Sequence, residues 1–139
     1  MTPFDREVRS TIYRLFVDQV RDVDAAVVAA YGGWEVEDVE TSLRSLAGAH
    51  RLSLTPAGLV GMAHPFSGVP TAYRASVGDD WWFANCAWDA LAILSLLGDG
   101  DVTGPTGLLW RTDDGMVDPD GLVHLVVPAR SFWEDVGFT

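Results

Sequence analysis

"WWFANCAWDALAILSLLG", residues 81–98, changes character in its middle. The aromatic lead-in from Trp81 to Asn85 reads as a short strand. From about Asn85 the apolar run is too long for a strand and closes at Gly98, so it reads as a helix whose first turn holds Cys86 and Asp89. A strand that passes straight into an apolar helix, with further strand signals on both sides, points to an α+β chain. Cys86 is the only cysteine in the sequence.

Upstream of this junction the first half of the chain is helical in period. Val8, Ile12, Leu15, Phe16 and Val20 form one stripe over residues 5–20. A second helix is expected in "DVDAAVVAAYGG", capped by Asp22 or Asp24 and stopped at Gly32-Gly33. A third lies in "EVEDVETSLRSLAGAHRL", with Val36, Val39, Leu43 and Leu46 on one face. "LSLTPAGLVGMAH" then alternates, turns at Pro56 to Gly58 and returns as a hairpin. Three helices followed by a hairpin resemble a winged helix-turn-helix, and residues 1–62 are expected to form such a subdomain.

Downstream, "TAYRASV" and "WWFAN" read as strands separated by Pro and Gly turns, and "DGDVTGPTG" reads as a loop. "LLWRT", "GMVDPDG" and "LVHLVVPA" read as a hairpin turning at Asp118 to Gly121. Residues 63–139 are therefore expected to be a small mixed unit of strands packed on the Cys86 helix. The whole is α+β, with no internal repeat.

Twenty acids against nine basic residues, all arginine, give a formal charge of −11, which repels phosphate backbones and anionic membranes. The third helix carries Glu35, Glu37, Asp38 and Glu40 against Arg44, the reverse of a DNA-reading helix. Nucleic acid and membrane are not expected partners. The longest apolar stretch, 87–97, is interrupted by Asp89 and is shorter than the ~20 residues that span a bilayer. The N-terminus lacks a secretory apolar segment, and one cysteine closes no internal disulfide, so a cytoplasmic protein is expected. His50, His64 and His124 show no zinc-ligand spacing, and Ser67 lies in no nucleophile elbow.

Cys86 and Asp89 form the candidate site. Helix-dipole and amide fields at a first turn stabilise a thiolate, so the Cys86 pKa is expected to fall and the thiol to react faster than an unperturbed cysteine where these fields outweigh burial and the carboxylate three residues on. Burial raises the carboxyl's own pKa, so the pair is expected to share one proton. Such a pair suits a sulfur that binds a soft electrophile while an acid passes a proton to the leaving group. An inert core cysteine beside an acid that merely faces the helix dipole is the alternative.

The tract "HPFSGVPTAYRASVGDDWWFANCAWDALAI", residues 64–93, flanked by the helical N-terminus and by "LVHLVVPARSFWEDVGFT", resembles the organomercurial lyase (alkylmercury lyase) family. The family's Cys-x-x-Asp matches Cys86 and Asp89. The resemblance implies cleavage of a carbon–mercury bond: thiolate binds mercury, a proton goes to carbon and a hydrocarbon leaves, without a cofactor. It makes Cys86 the mercury-binding nucleophile, and Asp89 the proton donor and second mercury ligand. Trp81, Trp82, Phe83 and Trp88 are expected to offer an apolar slot to the organic group. The family's second cysteine, which follows the segment matching "SFWEDVGFT", has no counterpart in this sequence. Either the sequence stops short of that residue or this is a relative that has lost it, and with one cysteine its task falls to an external low-molecular-weight thiol or to Asp89. The rival functions are a non-catalytic relative that binds a soft metal or apolar small molecule through Cys86, and, less favoured by charge, a winged-helix transcription regulator.

Overall fold

Thr2 and Asp5 start the first helix by capping each other. The Thr2 hydroxyl accepts from the Asp5 amide at 3.0 Å, and the Asp5 carboxylate accepts from the Thr2 amide at 2.7 Å. The structure, a computed structural model, describes residues 1–117 together with 131 and 134. Helix α1 (Pro3–Val17) buries Val8, Ile12, Leu15 and Phe16. It stops before the expected Val20 because Gln19 turns left-handed, with φ 59°, and the Val20 amide folds back to the Leu15 carbonyl at 2.8 Å. Val20 still packs on the core, which is why its spacing fits the stripe. Asp24 caps α2 (Ala25–Gly32), and Gly33 ends it at φ 70°, a conformation that favours glycine. Helix α3 (Val36–Gly48) buries Val39, Leu43 and Leu46. Its one arginine, Arg44, lies 3.4 Å from Glu40, so the helix's single cation faces an acid of the same helix.

Eight strands follow: β1 (Ser53–Leu54), β2 (Val60–Ala63), β3 (Phe66–Ser67), β4 (Tyr73–Val77), β5 (Asp80–Ala84), β6 (Asp101–Gly104), β7 (Gly107–Asp113) and β8 (Met116–Val117). Helix α4 (Ala87–Leu97) sits between β5 and β6 in sequence. The sheet order is β1-β2-β3-β5-β4-β6-β7-β8, with every described ladder antiparallel. The α+β class expected from the sequence is what the chain adopts.

One expectation is corrected. "DGDVTGPTG" is not a loop, since residues 101–104 form β6 and pair with both β4 and β7. Gly100 marks a close approach, since a Cβ there would collide with the Ser76 carbonyl oxygen. Met116–Val117 pairs with β7, and the turn expected at 118–121 lies outside the described residues. The strand expected over "LVHLVVPA", with His124, and the terminal "RSFWEDVGFT" lie outside the described residues, apart from 131 and 134.

Strand alternation divides the sheet into two faces. Ala75, Trp82, Ala84 and Val102 are buried with Ala90, Ile93 and Leu94 of α4. Trp81, Phe83 and Arg74 point the other way. The core also crosses residue 62. Phe66 stacks on Phe16 at 5.8 Å, and the Trp82 indole donates to the Phe16 and Val17 carbonyls at 2.9 and 3.2 Å. Those are carbonyls of the last turn of α1, which lack partners within the helix, so Trp82 ties the helical half to the sheet.

Candidate functional site

Strand β5 ends at Ala84, and two residues carry the chain into α4. Cys86 is the N-cap, so the helix begins slightly later than expected, with extended backbone (φ −150°, ψ 178°) and a carbonyl that accepts from the Ala90 amide at 3.1 Å. Its side chain is half-buried at the mouth of the helix. Asp89, one turn on, is buried in the first turn of α4.

Asp89 is held from two further elements. The Asn85 amide donates to Asp89 Oδ2 at 2.9 Å and to the Phe66 carbonyl at 3.5 Å. His64 Nδ1 lies 2.8 Å from Asp89 Oδ1, with the imidazole 65% exposed and the carboxyl 9% exposed. The pair therefore links a buried carboxyl to solvent. His64 is placed in turn by α1, because the Tyr13 hydroxyl donates to the His64 carbonyl at 2.8 Å and Arg9 donates to the Tyr13 hydroxyl at 3.0 Å. Sequence reasoning set His64 aside for its lack of zinc spacing and passed over Asn85. The available signal was position: His64 opens, and Asn85 directly precedes Cys86 in, the tract that resembles the lyases.

Burial raises the Asp89 pKa against the pull of Asn85 and His64, as expected for a carboxyl in this setting. The Cys86 thiol is also held above its ordinary range. Burial and the Asp89 charge push it up, and the amides of Asp89 and Trp88 only partly offset them. The favourable helix field expected at Cys86 is thus present but loses to desolvation and a neighbouring acid. Both groups hold their protons more tightly than free side chains.

The expected aromatic slot is not assembled. Trp82 is buried toward α1, Trp88 is 58% exposed, and Trp81 and Phe83 meet edge to face on the opposite side of the sheet. Period-two alternation sends Trp82 away from its two aromatic neighbours. Among the described residues no group of three or more His, Cys, Asp or Glu side chains is arranged to hold a metal ion. A hollow of about 300 Å³, lined by Thr2, Phe4, Asp5, Asp38, Thr41, Ser42 and Ser45, shares no residue with the Cys86 turn.

A raised thiol pKa has a measurable sign. The thiolate is the alkylated species, so its fraction at neutral pH falls as the pKa rises. Iodoacetamide is expected to label Cys86 more slowly than a free cysteine at pH 7, with the rate climbing as pH rises. Removing the Asp89 charge takes away one upward push, so Asp89→Asn should label faster than wild type at the same pH. Mass spectrometry of the Cys86 peptide gives both rates, and wild type that labels faster than free cysteine at pH 7 would contradict this electrostatic account.

No family model matches the sequence, and no curated protein matches it. Among solved structures the fold is similar to that in the crystal structure of the mercury-bound form of MerB2, with a TM-score of 0.63 and 18% sequence identity. The likeness covers 82% of this chain and 61% of that one, so this chain spans less than two thirds of the MerB2 chain. At that identity the likeness is one of fold. Among the described residues no helix is long and apolar enough to cross a membrane.

Proposed function

We propose that this chain is an organomercurial-lyase-like protein in which Cys86 takes up mercury and Asp89 delivers the proton that releases the hydrocarbon. The observation that carries the reading is the placement of a buried carboxyl, its pKa raised by burial, one helical turn from a half-buried sulfur. The resemblance of residues 64–93 to the lyases and the fold likeness to mercury-bound MerB2 support it.

The chemistry balances with an external thiol. The Cys86 thiol meets an organomercury cation, a sulfur–mercury bond forms, and the thiol proton leaves to solvent, since coordination deprotonates a thiol. Asp89 then gives its proton to the carbon, the carbon–mercury bond breaks, and its electron pair becomes the new carbon–hydrogen bond. The Asp89 carboxylate left behind faces the mercury as a second ligand until an external thiolate replaces it. His64 connects Asp89 to solvent for reprotonation, and Tyr13 fixes the His64 backbone. In this reading residues 63–139 carry the chemistry and residues 1–62 brace it. The cytoplasm, rich in small thiols, is the compartment that fits.

The single cysteine favours a second reading, a protein that retains mercury through Cys86 without cleaving the carbon bond. One experiment separates them. With methyl- or phenylmercury and excess thiol, wild type is expected to release methane or benzene above the buffer rate, and Cys86→Ser is expected not to. Stoichiometric mercury retention without hydrocarbon would establish the binder and end the lyase reading.

A further inference from the structure

The face of the sheet opposite α4 carries a second constellation that this chemistry does not use. Arg74 on β4 and Arg21, from the segment after α1, converge on one aromatic pair. The Arg21 guanidinium carbon lies 4.5 Å from the Trp81 ring centroid and 5.6 Å from that of Phe83; for Arg74 the distances are 4.6 and 5.0 Å. The two rings meet edge to face at 4.9 Å. Both arginines are exposed. Among the described residues neither faces a carboxylate within ion-pair distance, although the chain carries 20 acids. Asp101, on the same face of the sheet, takes a two-pronged contact from Arg111 at 2.6 and 2.9 Å. The hydrogen bond that Arg21 makes goes to the Trp81 carbonyl at 3.4 Å, and Arg74 makes none among the described residues.

We propose that Arg21 and Arg74 form a binding site for a dianionic oxyanion, the phosphate group of a small phosphomonoester or free phosphate. Two cations held on one ring pair repel each other, and ring quadrupoles offset only part of that repulsion. A dianion neutralises both charges. Stacking leaves the guanidinium edges free, and their forked donors match tetrahedral oxyanions two bonds at a time. Charges more than ~8 Å away are largely screened at physiological salt, so the two guanidinium groups held on the same rings govern the contact with a small anion. The rings limit side-chain freedom before the ligand arrives, which lowers the ordering cost.

The test is a nuclear magnetic resonance titration of the 15N-labelled full chain, following the arginine Nε–H and indole signals at physiological ionic strength. Inorganic phosphate and phenyl phosphate are the two probes, with sodium chloride at matched ionic strength as the control. Saturable shifts confined to Arg21, Arg74 and Trp81 are expected. Arg21→Gln and Arg74→Gln should each weaken binding about tenfold, the scale of a lost charge-assisted contact. Tighter binding of phenyl phosphate than of phosphate would identify an ester as the ligand, and equal binding would identify the free ion. Shifts no larger than those caused by chloride, or the same saturation in Arg21→Gln/Arg74→Gln with an unchanged circular-dichroism melt, would overturn the proposal. Arg74→Met, which keeps much of the stem packing without the charge, should also lose binding; if it retains it, the cluster is only a packing device.

Discussion

Asp89→Asn is expected to lower hydrocarbon release from methyl- or phenylmercury by roughly 10²–10⁴-fold, the range lost when a positioned general acid is removed. The substitution is close to isosteric. An asparagine oxygen can still accept from Asn85 at the position of Oδ2, and its amide can face His64 where Oδ1 stood 2.8 Å from Nδ1. The first turn of α4 therefore keeps its hydrogen bonds while the transferable proton disappears. Mercury retention by Cys86 should survive, because the sulfur and its N-cap backbone are untouched. Headspace gas analysis for methane or benzene, paired with mercury quantification on desalted protein, reads both quantities. Equal release by wild type and variant would remove Asp89 from proton delivery. Loss of both release and retention would make its role structural instead.

Phe66→Ala is expected to cost about 3–5 kcal/mol of stability, the usual range for truncating a buried phenylalanine. Phe66 is only 2% exposed, stacks on Phe16, meets Tyr13 edge to face at 6.3 Å, and pairs with Ala84 across the sheet. The helices at this point leave few atoms free to close a cavity. Against a total of about 5–15 kcal/mol for ordinary domains, such a loss approaches global unfolding at moderate temperature. Urea denaturation followed by tryptophan fluorescence gives the difference directly. Trp88→Ala, at a site 58% exposed, should change stability by no more than about 0.5 kcal/mol and serves as the matched control. A small cost at Phe66 would mean that the contact between α1 and the sheet is not what holds the two halves of the chain together.

What could be read before folding was everything that depends on neighbours in sequence. Apolar spacing gave the three N-terminal helices, because a helix repeats each 3.6 residues whatever it later packs against. Asp24 and Gly33 marked the ends of α2 through side-chain capping and a left-handed turn, both local effects. The Cys86–Asp89 spacing put thiol and acid on one turn for the same reason. Tertiary structure decided what depends on approach across the chain. Gly100 looked like a loop residue because its reason for being glycine, the Ser76 carbonyl beside it, is on another strand. Trp82 looked like part of an aromatic slot, but its indole answers carbonyls at the end of α1. His64 drew no attention because its partner, Asp89, lies on a helix reached only after three strands have folded back. The thiol pKa turned on the same distinction. The helix field at Cys86 was legible from position, whereas burial, the larger effect, comes into being only when α4 is laid on the sheet.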